Sequence, residues 1–212
     1  SVLGATGYKG RSMLDVNATA DNADNLARVT ANQSGVYNAA STSVKFAGSG
    51  SYHLVSPVVG PQTLTYRNSF YVKAGASLSF LSRLGIAAAA QVARVEVSTN
   101  HGLSWQSVYS QAGKGSNNVG ETTFQARSIT LEAFAGKSIQ LRFNFGINSG
   151  SFFTEISDGY GWYIDDIAFG NLIDTSDAVI TTLPEGNTFA FTPSVVGAHL
   201  LAVSPIISGR DL

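Results

Sequence analysis

Two adjacent aspartates inside an apolar segment are the residues of this sequence that most require a chemical explanation. Residues 159–169 read GYGWYIDDIAF. Side chains alternate between the two faces of a β-strand, so Asp165 and Asp166 would lie on opposite faces and one of them would face the core. A buried carboxylate costs several kcal/mol unless a cation or a set of hydrogen-bond donors compensates it. The pair therefore predicts a compensating partner close to this strand.

Three arrangements would satisfy the pair. A hard cation could bind both carboxylates, hydrogen bonds or an arginine such as Arg142 or Arg94 could neutralise them, or a β-bulge between them could turn both to solvent. Calcium is the cation that suits the sequence, because it takes about 6 to 8 oxygen ligands and the chain offers many oxygens but no cysteine. We predict a structural calcium ion at Asp165 and Asp166.

A second acidic segment could add ligands to that ion. Residues 15–25 read DVNATADNADN. The segment is not an EF-hand, because Ala20 stands where that loop requires glycine and Leu26 stands where it requires glutamate. We expect it to fold against the strand and to contribute Asp15 and Asp24 as further calcium ligands.

Aromatic residues in turns are the candidates for ligand binding. Residues 98–105, STNHGLSW, match the Asp-box hairpin pattern S-x-D-x-G-x-x-W with Asn100 in the aspartate position. The pattern predicts that Trp105 folds back onto its own hairpin, with stacking against a sugar as the alternative. Tyr160 and Tyr109 are the other residues expected to offer an aromatic face to a glycan.

No complete catalytic set is present. His53, His101 and His199 lie in separate segments without the spacing of metal ligands. Glu155 and Asp158 fall in a glycine-rich stretch and lack the paired arrangement along one strand that sandwich-fold glycosidases use. The sequence therefore predicts that the chain is not an enzyme.

The elements that position these residues are predicted to be strands. In IQLRFNFGI, residues 139–147, apolar and polar residues alternate with a period of two. Further strand-like runs cover 63–72, 77–82 and 93–99, and glycine-rich turns separate them. Only 21–28 and 84–93 have a weak helical pattern, and the second could equally be a strand. This organisation predicts an all-β, antiparallel two-sheet β-sandwich.

Composition narrows the partners. The chain has 212 residues, a formal net charge of -1 and only 13% charged residues. It offers no basic surface for nucleic acid and no apolar run long enough to insert into a membrane. Without cysteine there is no disulfide framework. Because the sequence begins Ser-Val-Leu and stops directly after a strand-like run, we expect it to be a piece of a longer processed protein.

Four segments in order carry a family resemblance. They are YHLVSPVV (52–59), VEVSTNHGLSW (95–105), SITLEAFAGKSIQLRFNF (128–145) and GYGWYIDDIAF. Residues 52–170 resemble the jelly-roll module of the MAM-like group, which includes cleaved-adhesin domains and accessory domains of immune-inhibitor-A-type secreted bacterial proteases. The resemblance implies a non-catalytic, extracellular, often calcium-stabilised domain attached to larger secreted or cell-surface proteins.

These observations lead to one expected organisation. Residues 1–170 should form the jelly-roll sandwich, and residues 171–212 a β-rich extension that packs on it or begins a neighbouring domain. Three runs in the extension, 178–182, 188–192 and 199–207, are strand-like. The expected function is a non-catalytic accessory or adhesion module with a glycan or protein ligand. A carbohydrate-binding module is the first alternative and a glycan-active enzyme domain the second.

Overall fold

The computed structural model describes residues 5–115, 119–176, 179–183, 192–193, 195–207 and 210–211. Within these ranges the elements are strands and one short 3-10 helix, Glu132–Phe134. Residues 21–28 form an isolated β-bridge at Asp21 followed by bends and turns, and residues 84–93 lead into a strand that begins at Gln91, so neither weak helical pattern gives a helix. No helix in the described ranges is long and apolar enough to cross a membrane.

The strands follow the alternating segments of the sequence. Their bounds are β1 (Ala5–Leu14), β2 (Val29–Gln33), β3 (Ala40–Ser41), β4 (Ser51–Leu54), β5 (Gln62–Tyr66), β6 (Phe70–Leu84), β7 (Gln91–Ser98), β8 (Gln106–Ala112), β9 (Gln125–Thr130), β10 (Ser138–Ile147), β11 (Trp162–Asp174), β12 (Val179–Leu183), β13 (His199–Ile207) and β14 (Arg210–Asp211).

Strands β2 to β11 form two antiparallel layers. The first layer has the order β2-β5-β10-β7-β8. The second has the order β3-β4-β11-β6-β9. The start of the long strand β6 also pairs with β10, which joins the layers at one corner. The all-β, two-sheet jelly-roll sandwich expected from the sequence is confirmed.

The core lies between the two layers. Apolar residues of β10 and β7 point inward from the first layer, and residues of β11 and β6 point inward from the second. Aromatic rings meet across the gap, with Phe143 and Trp162 centroids 5.6 Å apart. Each fully buried aromatic side chain contributes about 2 to 3 kcal/mol of transfer free energy, so this cluster is a large part of the stability.

A separate four-stranded sheet, which we call the outer sheet, lies outside the sandwich and has the strand order β12-β1-β13-β14. The predicted strand at 178–182 corresponds to β12, which is described from Val179, and the one at 199–207 corresponds to β13. Residues 188–191 of the remaining predicted strand lie outside the described ranges. The sequence led us to expect residues 5–14 in the sandwich, but in the structure they pair with the C-terminal strands β12 and β13. Pairing between segments so far apart along the chain leaves no local pattern from which it could be predicted.

Candidate functional site

A β-bulge in β11 separates the two adjacent aspartates. The pairing with β6 runs to Asp165, opposite Leu81, and resumes only at Ala168. Asp166 takes a positive φ of 45°, a conformation that aspartate and asparagine tolerate better than most residues. Asp165 is completely buried and Asp166 is exposed. The bulge predicted as one alternative is therefore present, but it exposes only one of the two carboxylates.

The bulge also changes which alternate residues of β11 face the core. Before it, Trp162 and Ile164 belong to the core cluster, and after it Ile167 and Phe169 do. Even-numbered side chains face the core before the bulge and odd-numbered side chains face it afterwards, as expected when one extra residue enters a strand. Asp165 consequently points away from the core, to the outer face of its sheet.

Residues 42–50, which we call the clasp loop, bury Asp165 on that face. Its Oδ2 accepts hydrogen bonds from the backbone N–H groups of Phe46, at 2.7 Å, and Ala47, at 3.3 Å. Its Oδ1 accepts one from the N–H of Asp166, at 2.8 Å. Burial raises the pKa of Asp165, and these three amide donors oppose that rise. The carboxylate is thus compensated by backbone donors, while Phe46 is held with 59% of its surface exposed.

Asp24 fastens the other end of the clasp loop. Its Oδ1 accepts hydrogen bonds from the N–H groups of Ser49, at 2.5 Å, and Gly50, at 2.9 Å. These amides lower the pKa of Asp24. Gly48 has a φ of 61°, and a Cβ at this position would meet the Asp24 carboxylate. The loop therefore requires a glycine at position 48, between Ala47, which Asp165 binds, and Ser49, which Asp24 binds.

The four predicted calcium ligands divide between two places. Asp24 and Asp165 both contact the clasp loop, and the exposed Asp166 follows Asp165 in the chain. Asp15 lies elsewhere: it forms an ion pair with Lys73 at 2.6 Å, and its N–H donates to the carbonyl of Ala198.

The side chains at the clasp loop do not by themselves complete a calcium site. Within the described ranges, no three acidic, histidine or cysteine side chains converge closely enough to hold a metal. The carboxylates of Asp24 and Asp165 already accept amide hydrogens, so an ion would need Asp166 and backbone carbonyl oxygens of the loop as well. The calcium ion stays a prediction.

The Asp-box sequence forms the expected hairpin between β7 and β8. The Oγ of Ser98 accepts from the N–H of Gly102 at 2.8 Å, and the Oδ1 of Asn100 accepts from the N–H of Ser104 at 2.9 Å. Trp105 folds back so that its Nε1–H donates to the carbonyl of Gly102 at 3.1 Å. Asparagine thus replaces aspartate in this motif because the turn uses its side-chain oxygen as an acceptor.

The half-buried indole of Trp105 supports an arginine on the outer face of the first layer. The Arg142 guanidinium lies 4.0 Å from the Trp105 ring centroid. Arg142 and Glu96 are directly opposite in the β10–β7 register, and Arg142 Nε donates to Glu96 Oε2 at 2.6 Å. Asn144 Nδ2 donates to the same oxygen at 3.1 Å. We call Glu96, Trp105, Arg142 and Asn144 the Arg–Glu site.

Part of this site has no protein partner. Among the described residues, neither the two Nη groups of Arg142 nor Oε1 of Glu96 takes part in a hydrogen bond. The side chains are 22% and 11% exposed, and Oε1 is not among the buried polar atoms that lack a partner. Solvent therefore reaches a donor on Arg142 and an acceptor on Glu96, two residues that lie opposite each other in register. Such a pair can bind a hydroxyl group, which both accepts and donates.

The arginines proposed as partners of the aspartate pair have other roles. Arg142 belongs to the Arg–Glu site, and Arg94 donates to the side chain of Asn148 just beyond β10. The ion-paired alternative for Asp165 is therefore not formed with either arginine.

The structure does not bring the three predicted aromatic ligand residues together. Tyr109 packs edge-on against Phe80 at 5.7 Å, and its hydroxyl donates to Gln111 and accepts from Arg127. Tyr160 is half-buried, with its ring 6.0 Å from that of Phe153. Their use in glycan binding stays a prediction, whereas Trp105 lies against Arg142 of the Arg–Glu site.

The buried carboxylate of Asp21 connects the two layers of the sandwich, a role that the sequence did not predict. Asp21 is 4% exposed, and its Oδ2 accepts hydrogen bonds from the hydroxyls of Tyr52, at 2.8 Å, and Tyr66, at 2.9 Å. Tyr52 belongs to β4 and Tyr66 to β5, so one carboxylate links the two layers. Burial is the main cause that raises the pKa of both tyrosines, and the negative charge of Asp21 adds to it.

The histidines are separated in the fold as in the sequence. His53 is buried, stacks on Tyr163 with centroids 4.1 Å apart, and donates from Nε2 to the carbonyl of Tyr160. His101 is exposed at the tip of the Asp-box hairpin, and His199 contacts Ser12 in the outer sheet.

No family model and no curated protein matches the chain. Among solved structures it is similar to the K3 cleaved adhesin domain of Lys-gingipain from Porphyromonas gingivalis, with a TM-score of 0.39 and 15% identity, over 59% of this chain and 78% of that chain. It is also similar to the enzymatically active domain of tailspike protein 4 from bacteriophage CBA120, with a TM-score of 0.40 and 17% identity, over 76% of this chain and 22% of that chain. A third similarity is to a carbohydrate-binding module in complex with beta-1,4-galactotriose, with a TM-score of 0.35 and 13% identity, over 68% of this chain and 87% of that chain. Membership in the MAM-like group stays a prediction.

Proposed function

We propose that this chain is a non-catalytic, glycan-binding accessory module of a secreted or cell-surface protein, and that the Arg–Glu site is where it binds. The observation that carries the proposal is the unpartnered donor and acceptor pair of Arg142 and Glu96. Sugar hydroxyls require both kinds of group at hydrogen-bonding distance, and proteins usually provide them with rigid polar side chains.

The surroundings of Arg142 favour this use. The guanidinium is fixed on one side by the Trp105 ring and at Nε by Glu96, so little side-chain entropy remains to be lost when its Nη groups bind a ligand. Trp105 acts here by holding Arg142 in place, since the guanidinium covers one face of the indole. The rigid strands β7 and β10 hold Glu96 and Arg142 opposite each other in register.

The chemistry of the site also favours binding over hydrolysis. Glycosidases use two carboxyl groups about 5 to 10 Å apart, one as acid and one as base or nucleophile. Oε2 of Glu96 instead accepts hydrogen bonds from Arg142 and from Asn144. A carboxyl oxygen that already accepts from an arginine is poorly placed to give a proton to a leaving group.

A glycan array probed with the purified chain, followed by calorimetry on the glycans that bind, tests the proposal. Arg142→Gln should weaken binding about tenfold or more, because charge-assisted hydrogen bonds to the ligand are lost. Arg94→Gln is the matched control, since this arginine lies on the same sheet but bonds to Asn148. If no glycan binds, or if Arg142→Gln binds as the unchanged chain does, the proposal is wrong. Release of shorter sugars that Glu96→Gln abolishes would contradict its non-catalytic part.

The calcium ion is proposed as a stabilising component of the same module. The support for it is that Asp24 and Asp165 both bind one loop, and that the exposed Asp166 directly follows Asp165. An ion there would hold the clasp loop against the sandwich and would take no part in the hydrogen bonds of the Arg–Glu site.

A further inference from the structure

The charge balance of the Arg–Glu site decides which glycans it can accept. Arg142 carries one positive charge and Glu96 one negative charge, and Nε and Oε2 of the pair are only 2.6 Å apart. The positive charge of the guanidinium is thus already neutralised before a ligand arrives. A free arginine attracts a carboxylate or sulfate strongly, whereas an arginine in an ion pair attracts it far less.

The unpaired oxygen of Glu96 adds a repulsive element. A sugar carboxylate that approached the Nη groups of Arg142 would come close to Oε1 of Glu96, and two carboxylates at such a distance cannot both stay ionised without cost. A neutral hydroxyl has no such conflict, because its oxygen accepts from an Nη–H while its hydrogen is donated to Oε1. Two neighbouring hydroxyls of one ring can share the same donor and acceptor.

From these contacts we infer that Glu96 makes the Arg–Glu site selective for neutral sugars with adjacent hydroxyl groups, over uronic acids and other acidic sugars. The inference rests on the proposed glycan-binding function and adds the class of ligand to it. Glu96 acts as a specificity-determining residue: it accepts from the ligand and it also repels the wrong ligand, which is how discrimination between similar ligands is commonly achieved.

Two other groups on this face bear on the charge. Arg94 is a second cation, in register with Asn144, but its guanidinium donates to the side chain of Asn148 at the far end of the strand. Asn144 donates to Glu96 Oε2 and carries no charge. Because the Arg94 guanidinium lies against Gly146 and Asn148, beyond Asn144 on β10, its positive charge is directed away from the Nη groups of Arg142.

The experiment compares matched sugars by calorimetry on the complete chain. Galactotriose and mannotriose are the neutral probes, and trigalacturonate and trimannuronate are the acidic probes with the same ring configurations. We expect the unchanged chain to bind at least one neutral probe about tenfold or more tightly than its acidic counterpart, which corresponds to the loss of one charge-assisted hydrogen bond. Glu96→Gln should weaken the neutral probe and strengthen the acidic one, so that the preference narrows or reverses.

The outcomes separate this inference from the proposal on which it rests. Binding of the acidic probe as tight as that of its neutral counterpart, by the unchanged chain, would overturn the selectivity and leave glycan binding intact. Binding of neither probe class would overturn both. Because the first comparison uses the unchanged chain, it holds even if Glu96→Gln leaves Arg142 unpaired and fails to fold. Arg94→Gln should keep the preference, and its loss in that variant would assign the selectivity to Arg94 instead.

Discussion

Replacing Asp21 with asparagine should destabilise the sandwich strongly, although the two side chains have almost the same volume. Asp21 Oδ2 accepts from two tyrosine hydroxyls, and Oδ1 accepts from the N–H of Ala23 at 3.0 Å. Asparagine offers one acceptor oxygen instead of two and carries no charge. At least one buried donor therefore loses its partner, and the others lose the charge that strengthens them.

The expected change in the free energy of unfolding is about 2 to 4 kcal/mol. A hydrogen bond to a charged group contributes about 1.5 to 3 kcal/mol, and an unsatisfied buried donor costs about 1 to 3 kcal/mol. Removing the charge also removes a desolvation penalty, which offsets part of the loss. For a domain of this size each kcal/mol lowers the melting temperature by about 2 to 4 °C, so the midpoint should fall by roughly 10 °C.

Urea unfolding followed by tryptophan fluorescence measures this change, with Glu155→Gln as a control for removal of an exposed carboxylate. Tyr66→Phe should destabilise by about 1 to 2 kcal/mol. In the double variant the two losses should not add, with a coupling energy above about 0.5 kcal/mol. A stability of Asp21→Asn within about 0.5 kcal/mol of the unchanged chain, or a coupling energy near zero, would refute the claim that this carboxylate links the layers.

Two further predictions concern protons and calcium. Burial lowers the pKa of His53, so the unfolded chain takes up a proton on this residue at a higher pH than the folded chain does. The free energy of unfolding should therefore decrease as the pH drops below about 6.5, by at most about 1.4 kcal/mol per pH unit. In urea unfolding, His53→Gln should show a smaller decrease between pH 7.5 and pH 5.5 than the unchanged chain does. If calcium binds at the clasp loop, the melting temperature should rise with the free calcium concentration. At a concentration 100 times the dissociation constant, calcium should add about 2.7 kcal/mol to the free energy of unfolding, and Asp166→Asn should remove most of this gain. A melting temperature that is the same in calcium and in chelator would instead assign the stability of the clasp loop to its amide hydrogen bonds.

The parts of the structure that could be predicted from sequence are those fixed by neighbouring residues. Alternation in β10 predicted that Arg142 and Asn144 face outward, and the spacing of Ser98, Asn100 and Trp105 predicted the Asp-box hairpin. In both cases the responsible contacts lie within a few residues along the chain.

Contacts between distant segments could not be predicted in this way. Arg142 meets Glu96 only because β10 and β7 pair in one particular register, and no local pattern specifies that register. The same is true of Asp21 and its two tyrosines, and of β1, which pairs with strands about 170 to 200 residues away. The unpartnered atoms of the Arg–Glu site depend on the register between β10 and β7, so the site could not be predicted from the sequence.

The paired aspartates in β11 show why two identical residues in a row need not share one role. The strand must change which row faces the core between Ile164 and Ile167, and the extra residue that makes this change has a positive φ, which Asp166 tolerates. Once the change is made, the residue before it points outward beneath the clasp loop, where backbone N–H groups need an acceptor and Asp165 supplies one. One aspartate is thus explained by backbone conformation and the other by hydrogen bonding. Because neither explanation requires the carboxylates to act together, a calcium ion would be an addition to this arrangement and not its cause.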